Sequence, residues 1–188
     1  MRRQHHYRQR RRHRNVMLFV ITGNGKGKTT GSLGMVSRAL GQGLRCAVIQ
    51  FLKSNPKALG EYRTFTGLGV DWENWGQGFL WDQKTLEPTR ELCRRGWESF
   101  RAKACGGDYG MIVLDEFTYV LSYGLLDKDE VLAFLKDHIN TEGFPHVVVT
   151  GRDAPQELVD LADTVSEINE VKHHFRTNGG RTVRGIEF

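Results

Sequence analysis

Residues 16–32 read VMLFVITGNGKGKTTGS, and this stretch constrains the fold more than any other. Val16 to Ile21 is an unbroken apolar run that passes into a glycine-rich turn and then Lys28, Thr29 and Thr30. A strand that is apolar on both faces must be covered on both faces, which is the situation of a parallel sheet between helices. The turn has the form of a phosphate-binding loop. Gly27, Lys28 and Thr29 fit the end of the pattern G-x-x-x-x-G-K-[ST], while Thr22 stands where its first glycine falls. Gly23 and Gly25 supply the flexibility instead, letting backbone N–H groups approach phosphate oxygens closely. A helix after the loop adds its positive N-terminal end. Lys28 brings a point charge to the phosphates, and the Thr29 hydroxyl suits Mg²⁺.

The rest of the chain repeats this strand-then-helix alternation. Thr29 to Leu40 reads as a helix ended by Gly41 and Gly43. Arg45–Leu52 reads as a second strand, Leu86–Ala104 as a helix, and Met111–Leu114 as a buried strand ending at Asp115 and Glu116. Asp127 caps a helix with Val131, Leu132, Leu135 and Ile139 on one face and Glu130 three residues in. Val147–Thr150 is a further strand, Asp153 and Pro155 start a helix, and Thr164–Ile168 and Val183–Phe188 read as late strands. The expected fold is therefore α/β, with a mainly parallel central sheet and helices on both faces. Ligands of such sheets collect at the carboxyl ends of strands. Polar clusters follow Thr22 and Leu52 and lie at Asp115-Glu116 and Gly151-Arg152, so the four should meet in one cleft.

The net charge of +5 comes from 27 basic and 22 acidic residues. Seven of the basic residues, Arg2, Arg3, Arg8, Arg10, Arg11, Arg12 and Arg14, lie in an arm without acidic residues, and removing them leaves 20 basic against 22 acidic. Residues 1–14 thus form a basic arm and residues 15–188 one domain. The arm reads as a solvated terminus rather than a strand-binding surface, so nucleic acid is not the expected partner. No apolar run approaches the roughly 18 residues that cross a bilayer. Three cysteines without a C-x-x-C pair, Cys46, Cys93 and Cys105, fit free thiols in a reducing cytoplasm.

Asp115 ends MIVLD and Glu116 follows it in the manner of an acidic metal-binding strand, with one carboxylate reaching Mg²⁺ directly or through water. Residues 70–82, VDWENWGQGFLWD, hold Trp72, Trp75, Phe79 and Trp81 among polar side chains and read as a glycine-hinged loop that grips a large flat ligand. In an extended segment Phe79 and Trp81 share one side. Alone, these features are compatible with a RecA-like ATPase, a small kinase or a nucleotide-dependent transferase.

The motifs GNGKGKTT, VIQFLK, GEYR, GFLW, IVLDEFTY, VVVTGR, LADTVSEI and VKHHF occur in this order. Together they resemble the ATP:corrinoid adenosyltransferases of the CobA type from about Phe19 onward. The resemblance implies a RecA-like P-loop fold, a homodimer, and transfer of the 5′-deoxyadenosyl group of ATP to the cobalt of cobalamin or cobinamide, with an electron from a reductase or flavodoxin. It implies ATP contacts from Asn24, Gly25, Lys26, Gly27, Lys28, Thr29, Thr30 and Arg152, and Mg²⁺ held by Thr29 and Glu116 with Asp115. It also implies that Phe79 and Trp81 displace the lower axial ligand of cobalt, with Glu61 and Arg63 at the edge of the corrinoid site. Leu80 stands where the family frequently has threonine, and the short basic arm stands where members often carry a longer lid helix. His173 and His174 read as structural or surface histidines, because an axial histidine would oppose four-coordinate cobalt.

Overall fold

The structure, a computed structural model, describes residues 16–54, 57, 59–78, 86–174 and 179–187. The elements run β1 (Leu18–Thr22), α1 (Lys28–Gly41), β2 (Cys46–Phe51), α2 (Gly60–Gly67), β3 (Asp71–Trp75), α3 (Leu86–Cys105) and β4 (Met111–Asp115). They continue with α4 (Phe117–Ser122), α5 (Lys128–His138), β5 (His146–Thr150), α6 (Gln156–Leu161) and β6 (Thr164–Glu167). The six strands form one sheet in the order β3-β2-β4-β5-β1-β6, and every pairing is parallel. This is the expected α/β, RecA-like P-loop arrangement; β5 lies between the strand that feeds the phosphate loop and the strand that ends in the acidic pair.

Side-chain alternation along each strand divides the core into two layers. Leu18, Val20, Ala47, Ile49, Ile112, Leu114, Val147 and Val149 face α3, α4, α5 and α6, where they meet Trp97, Phe100, Phe117, Leu135 and Leu158. Ile21, Val48, Val113 and Val148 face the other way, onto Leu33, Val36 and Ala39 of α1 and Phe65 of α2. Trp97 stacks on Phe100 and Phe117 at centroid distances of 5.0 and 5.6 Å, which anchors α3 against α4 beneath the acidic strand. The cap at Asp127 is formed as read: its side chain accepts from the Glu130 amide at 3.0 Å. Among the described residues no helix is long and apolar enough to cross a membrane.

Two expectations are corrected. Asp71–Trp75 is not part of a loop but the edge strand β3, paired in register with Ala47–Phe51. Its acidic side chains are paired: Lys103 of α3 reaches Asp71 at 2.8 Å and Glu73 at 3.0 Å, and the Tyr109 hydroxyl donates to Asp71. Trp72 turns to Tyr62 of α2 at 5.7 Å, while Trp75 packs beside Gly96 of α3, so both support the scaffold. The described residues of the other segment, 183–187, form turns instead of a strand. The amides of Ile186 and Glu187 donate to the Val183 carbonyl, and Gly185 has φ of +80°, a conformation that cannot continue an extended run.

Candidate nucleotide and metal site

The loops after β1, β2, β4 and β5 converge, as the strand ends require, on a cleft of about 810 Å³ lined by Gly25 to Thr30, Lys53, Glu61, Glu116, Tyr119 and Arg152. The phosphate loop is braced from behind by the segment after β6. Gly25 N donates to Ile168 O at 2.7 Å, and the Glu170 amide donates to Asn24 Oδ1 at 2.9 Å. Gly23 has φ of +95°, and a Cβ there would lie 2.4 Å from Ile168 O. This explains the offset from the general pattern: the residue that must be glycine is one place later than the motif puts it, because the loop bends against Ile168 after Thr22 has completed β1.

Lys28 folds back on its own loop, donating from Nζ to Gly25 O at 2.7 Å. Burial and the neighbouring Arg152 guanidinium pull its pKa below the usual lysine value, against the opposing pull of Glu116. The site therefore already gathers positive charge where a polyphosphate can relieve it.

Asp115 is the hub of the acidic end. It is fully buried, and both oxygens are doubly engaged: Oδ1 accepts from Thr29 and Thr150 at 2.8 Å each, Oδ2 from Gln50 and Lys53 at 2.8 Å each. Strand register supplies the partners. Asn74, Gln50 and Asp115 stand level on β3, β2 and β4, and Asn74 in turn donates to Gln50 Oε1 at 3.1 Å. Burial alone would raise the Asp115 pKa, but the Lys53 ammonium and these hydrogen bonds outweigh it and hold the carboxyl below its usual value. For Glu116, burial and the Asp115 charge prevail and raise the pKa. Glu116 has φ of +61°, and its amide donates to Thr150 Oγ1 at 3.1 Å, so the strained turn is pinned from β5.

Lys53 lies 2.8 Å from Asp115 and 3.2 Å from Glu116, and it donates to Thr29 Oγ1 at 3.2 Å. Burial lowers its pKa, yet the two carboxylates override this and raise it, so the ammonium is firmly charged. The oxygen donors fit a hard cation such as Mg²⁺: the Thr29 alcohol oxygen, whose proton is committed to Asp115, and the Asp115 and Glu116 carboxylates, between which the Lys53 ammonium lies.

Of the residues expected at the site, Gly25, Lys26, Gly27, Lys28, Thr29, Thr30, Glu61, Glu116 and Arg152 line the cleft. Asn24 Oδ1 accepts from the Glu170 amide, and Arg63 sits on the exposed side of α2 with its guanidinium against the Lys57 carbonyl. Phe79 and Trp81 lie outside the described residues, as does the basic arm. The turn leading toward Phe79 is described: Gly78 N donates to Leu52 O at 2.9 Å, and a Cβ on Gly76 would meet Leu52 at 2.4 Å. His173 lines the cleft, and His174 lies 2.7 Å from Glu187. Sequence reasoning did not single out Lys53, Gln50 or Thr150. A glutamine inside the apolar run AVIQFL was the available signal, since a buried amide in a central strand must have polar partners.

Comparison with known proteins agrees with this geometry. The family described as ATP:corrinoid adenosyltransferase BtuR/CobO/CobP matches residues 14–188. The chain is 36% identical over 176 residues to the corrinoid adenosyltransferase of Escherichia coli K12, across 92% of this chain and 85% of that protein. It is 36% identical over 173 residues to corrinoid adenosyltransferase CobA of Salmonella typhimurium, across 92% and 85% of the two chains. With the corrinoid adenosyltransferase of Pseudomonas aeruginosa the identity is 37% over 182 residues, across 96% and 87%. With the match spanning the phosphate loop, the acidic strand and the cleft between them, the chain belongs to the ATP:corrinoid adenosyltransferase family.

Proposed function

We propose that the chain transfers the 5′-deoxyadenosyl group of ATP to the cobalt of a reduced corrinoid, cob(I)alamin or the corresponding cobinamide, and releases triphosphate, in adenosylcobalamin biosynthesis or salvage. The observation that carries the reading is the single cleft in which the phosphate loop, Lys53, Glu116 and Arg152 meet, in a chain whose family motifs run through the same segments. A Co(I) centre is itself the nucleophile and has no proton to give up, so the protein's task is positioning and charge stabilisation. Lys28, the loop amides and Arg152 stabilise charge on the departing triphosphate. Thr29 and Glu116, with Asp115, would hold Mg²⁺, and Asp115 orients the Thr29 hydroxyl by accepting its proton. The ion, when bound, supplies further positive charge to the leaving group. In this reading the enzyme works in the cytoplasm as a homodimer and takes its electron from a reductase or flavodoxin. The free thiols of Cys46, Cys93 and Cys105 fit that compartment.

In this reading Phe79 and Trp81 act by displacing the axial ligand of cobalt during reduction. Replacing both with alanine abolishes turnover from cob(II)alamin supplied with a reductant, while much of the activity on chemically pre-reduced cob(I)alamin survives. Equal losses on the two substrates would remove these side chains from ligand displacement. The reaction class is read from phosphorus NMR of an anaerobic mixture of ATP, Mg²⁺, cob(I)alamin and protein. Triphosphate as the phosphate product supports adenosyl transfer; orthophosphate with ADP would identify an ATPase instead.

A further inference from the structure

Lys53 is held too deliberately to be an ordinary lysine at the rim of a cleft. Leu52, the residue before it, is fully buried and has φ of +63°, a conformation that a leucine rarely adopts. The bend is clamped on both sides. Lys53 N donates to Phe51 O at 2.6 Å, Asn74 Nδ2 donates to Lys53 O at 3.0 Å, and Gly78 N donates to Leu52 O at 2.9 Å. The outcome of this strained, braced turn is that the ammonium points inward, between Thr29, Asp115 and Glu116.

The position it reaches is specific. The Thr29 hydroxyl gives its proton to Asp115, which leaves an oxygen lone pair as its free side, and Lys53 donates into that oxygen. Asp115 Oδ2 and Glu116 Oε1 complete the surround at 2.8 and 3.2 Å. An alcohol oxygen and two carboxylates around one positive charge is the coordination chemistry of a hard divalent cation.

We propose that Lys53 is the resident cation of the nucleotide-free site, occupying the position that Mg²⁺ takes when ATP binds; the inference rests on the metal assignment under Proposed function. It is a positioning residue. Lys53 neutralises two adjacent carboxylates that would otherwise repel one another, and it competes with free metal for Thr29 and Glu116. An arriving polyphosphate offers the ammonium a new anionic partner, so metal entry becomes coupled to nucleotide entry. Such coupling is reciprocal: nucleotide raises the affinity for metal by the same factor as metal raises the affinity for nucleotide.

The test is a titration of the nucleotide-free protein with Mn²⁺, followed by electron paramagnetic resonance of the free ion, so that no turnover is involved. Lys53→Met is expected to bind Mn²⁺ at least about tenfold more tightly than the parent, because an opposing unit charge in contact with the ligands has been removed. Lys53→Arg, which keeps the charge, stays near the parent value. Equal or weaker Mn²⁺ binding by Lys53→Met overturns the proposal. Should that variant not fold in metal-free buffer, refolding in the presence of Mn²⁺ restores it, and a variant unfolded with and without Mn²⁺ also overturns the proposal. The same titration with ATP present separates the two readings. Parent protein that binds Mn²⁺ with ATP, beside a variant that gains nothing without ATP, contradicts Lys53 alone. Failure of Mn²⁺ to bind even with ATP contradicts the metal assignment as well.

Discussion

Lys28→Ala lowers kcat for adenosyl transfer to cob(I)alamin by about 10²–10³-fold, the usual effect of deleting one preorganised charge at a developing anion. The side chain has little structural work to lose. Its ammonium is engaged with Gly25 of the same loop, so alanine frees a carbonyl already at the edge of the cleft. The melting temperature should therefore stay close to that of the parent while turnover collapses. Lys28→Arg does not restore activity, because a planar guanidinium is larger and cannot take the place of a compact ammonium on a tight glycine loop. Steady-state kinetics under anaerobic conditions check this, and a loss of less than tenfold would mean that the leaving triphosphate is stabilised elsewhere.

Asp115→Ala produces the opposite pattern, a loss of folding stability as well as of activity. The carboxylate is fully buried and receives four hydrogen bonds, from Thr29, Thr150, Gln50 and Lys53. Its removal leaves these donors facing a void between β2 and β5. Breaking a buried charge pair by deleting one partner costs about 3–5 kcal/mol. The lower end applies here, since Glu116 stays at 3.2 Å from the Lys53 ammonium. At about 2–4 °C per kcal/mol for a chain of this size, the melting temperature falls by roughly 6–12 °C. Thermal unfolding followed by circular dichroism checks it. A shift under a couple of degrees would show that Asp115 is not the electrostatic hub of the site.

The contrast between these two residues also explains what the sequence could disclose. Lys28 is legible because its chemistry is local: strand, glycines, lysine, threonine and helix follow one another along the chain. The central strands were legible for a similar reason, since Val16–Ile21, Met111–Leu114 and Val147–Val149 are apolar at every position and only a doubly covered sheet accommodates that. The hub around Asp115 depends on register. Gln50 and Asn74 reach it only because three strands stand level, and Lys53 only because Leu52 adopts a left-handed bend. The sequence places Lys53 after a strand, at the expected cleft, but its contacts with Thr29, Asp115 and Glu116 need those pairings.

Where the reading failed, composition concealed packing. β3 carries Asp71, Glu73 and Asn74, which look like loop residues until Lys103, Tyr109 and Gln50 are brought against them by α3, the segment after it and β2. The reverse holds at Val183–Phe188, which reads as a strand in the sequence. Val183 and Ile186 are 41% and 56% exposed, so these apolar residues mark no buried face. The short helix α4 gave no periodic signal, because at six residues it is less than two turns long and packs Phe117, Val120 and Leu121 into the core.

In the proposed reaction the cleft directs C5′ of ATP, rather than a phosphorus atom, to the attacking nucleophile. This is tested by an anaerobic reaction of Mg²⁺, cob(I)alamin and ATP labelled with carbon-13 at C5′, followed by NMR of the corrinoid and quantitation of the phosphate product. Label bonded to cobalt in adenosylcobalamin is expected, with one intact triphosphate for each corrinoid converted. Unlabelled corrinoid alongside orthophosphate and ADP would contradict it.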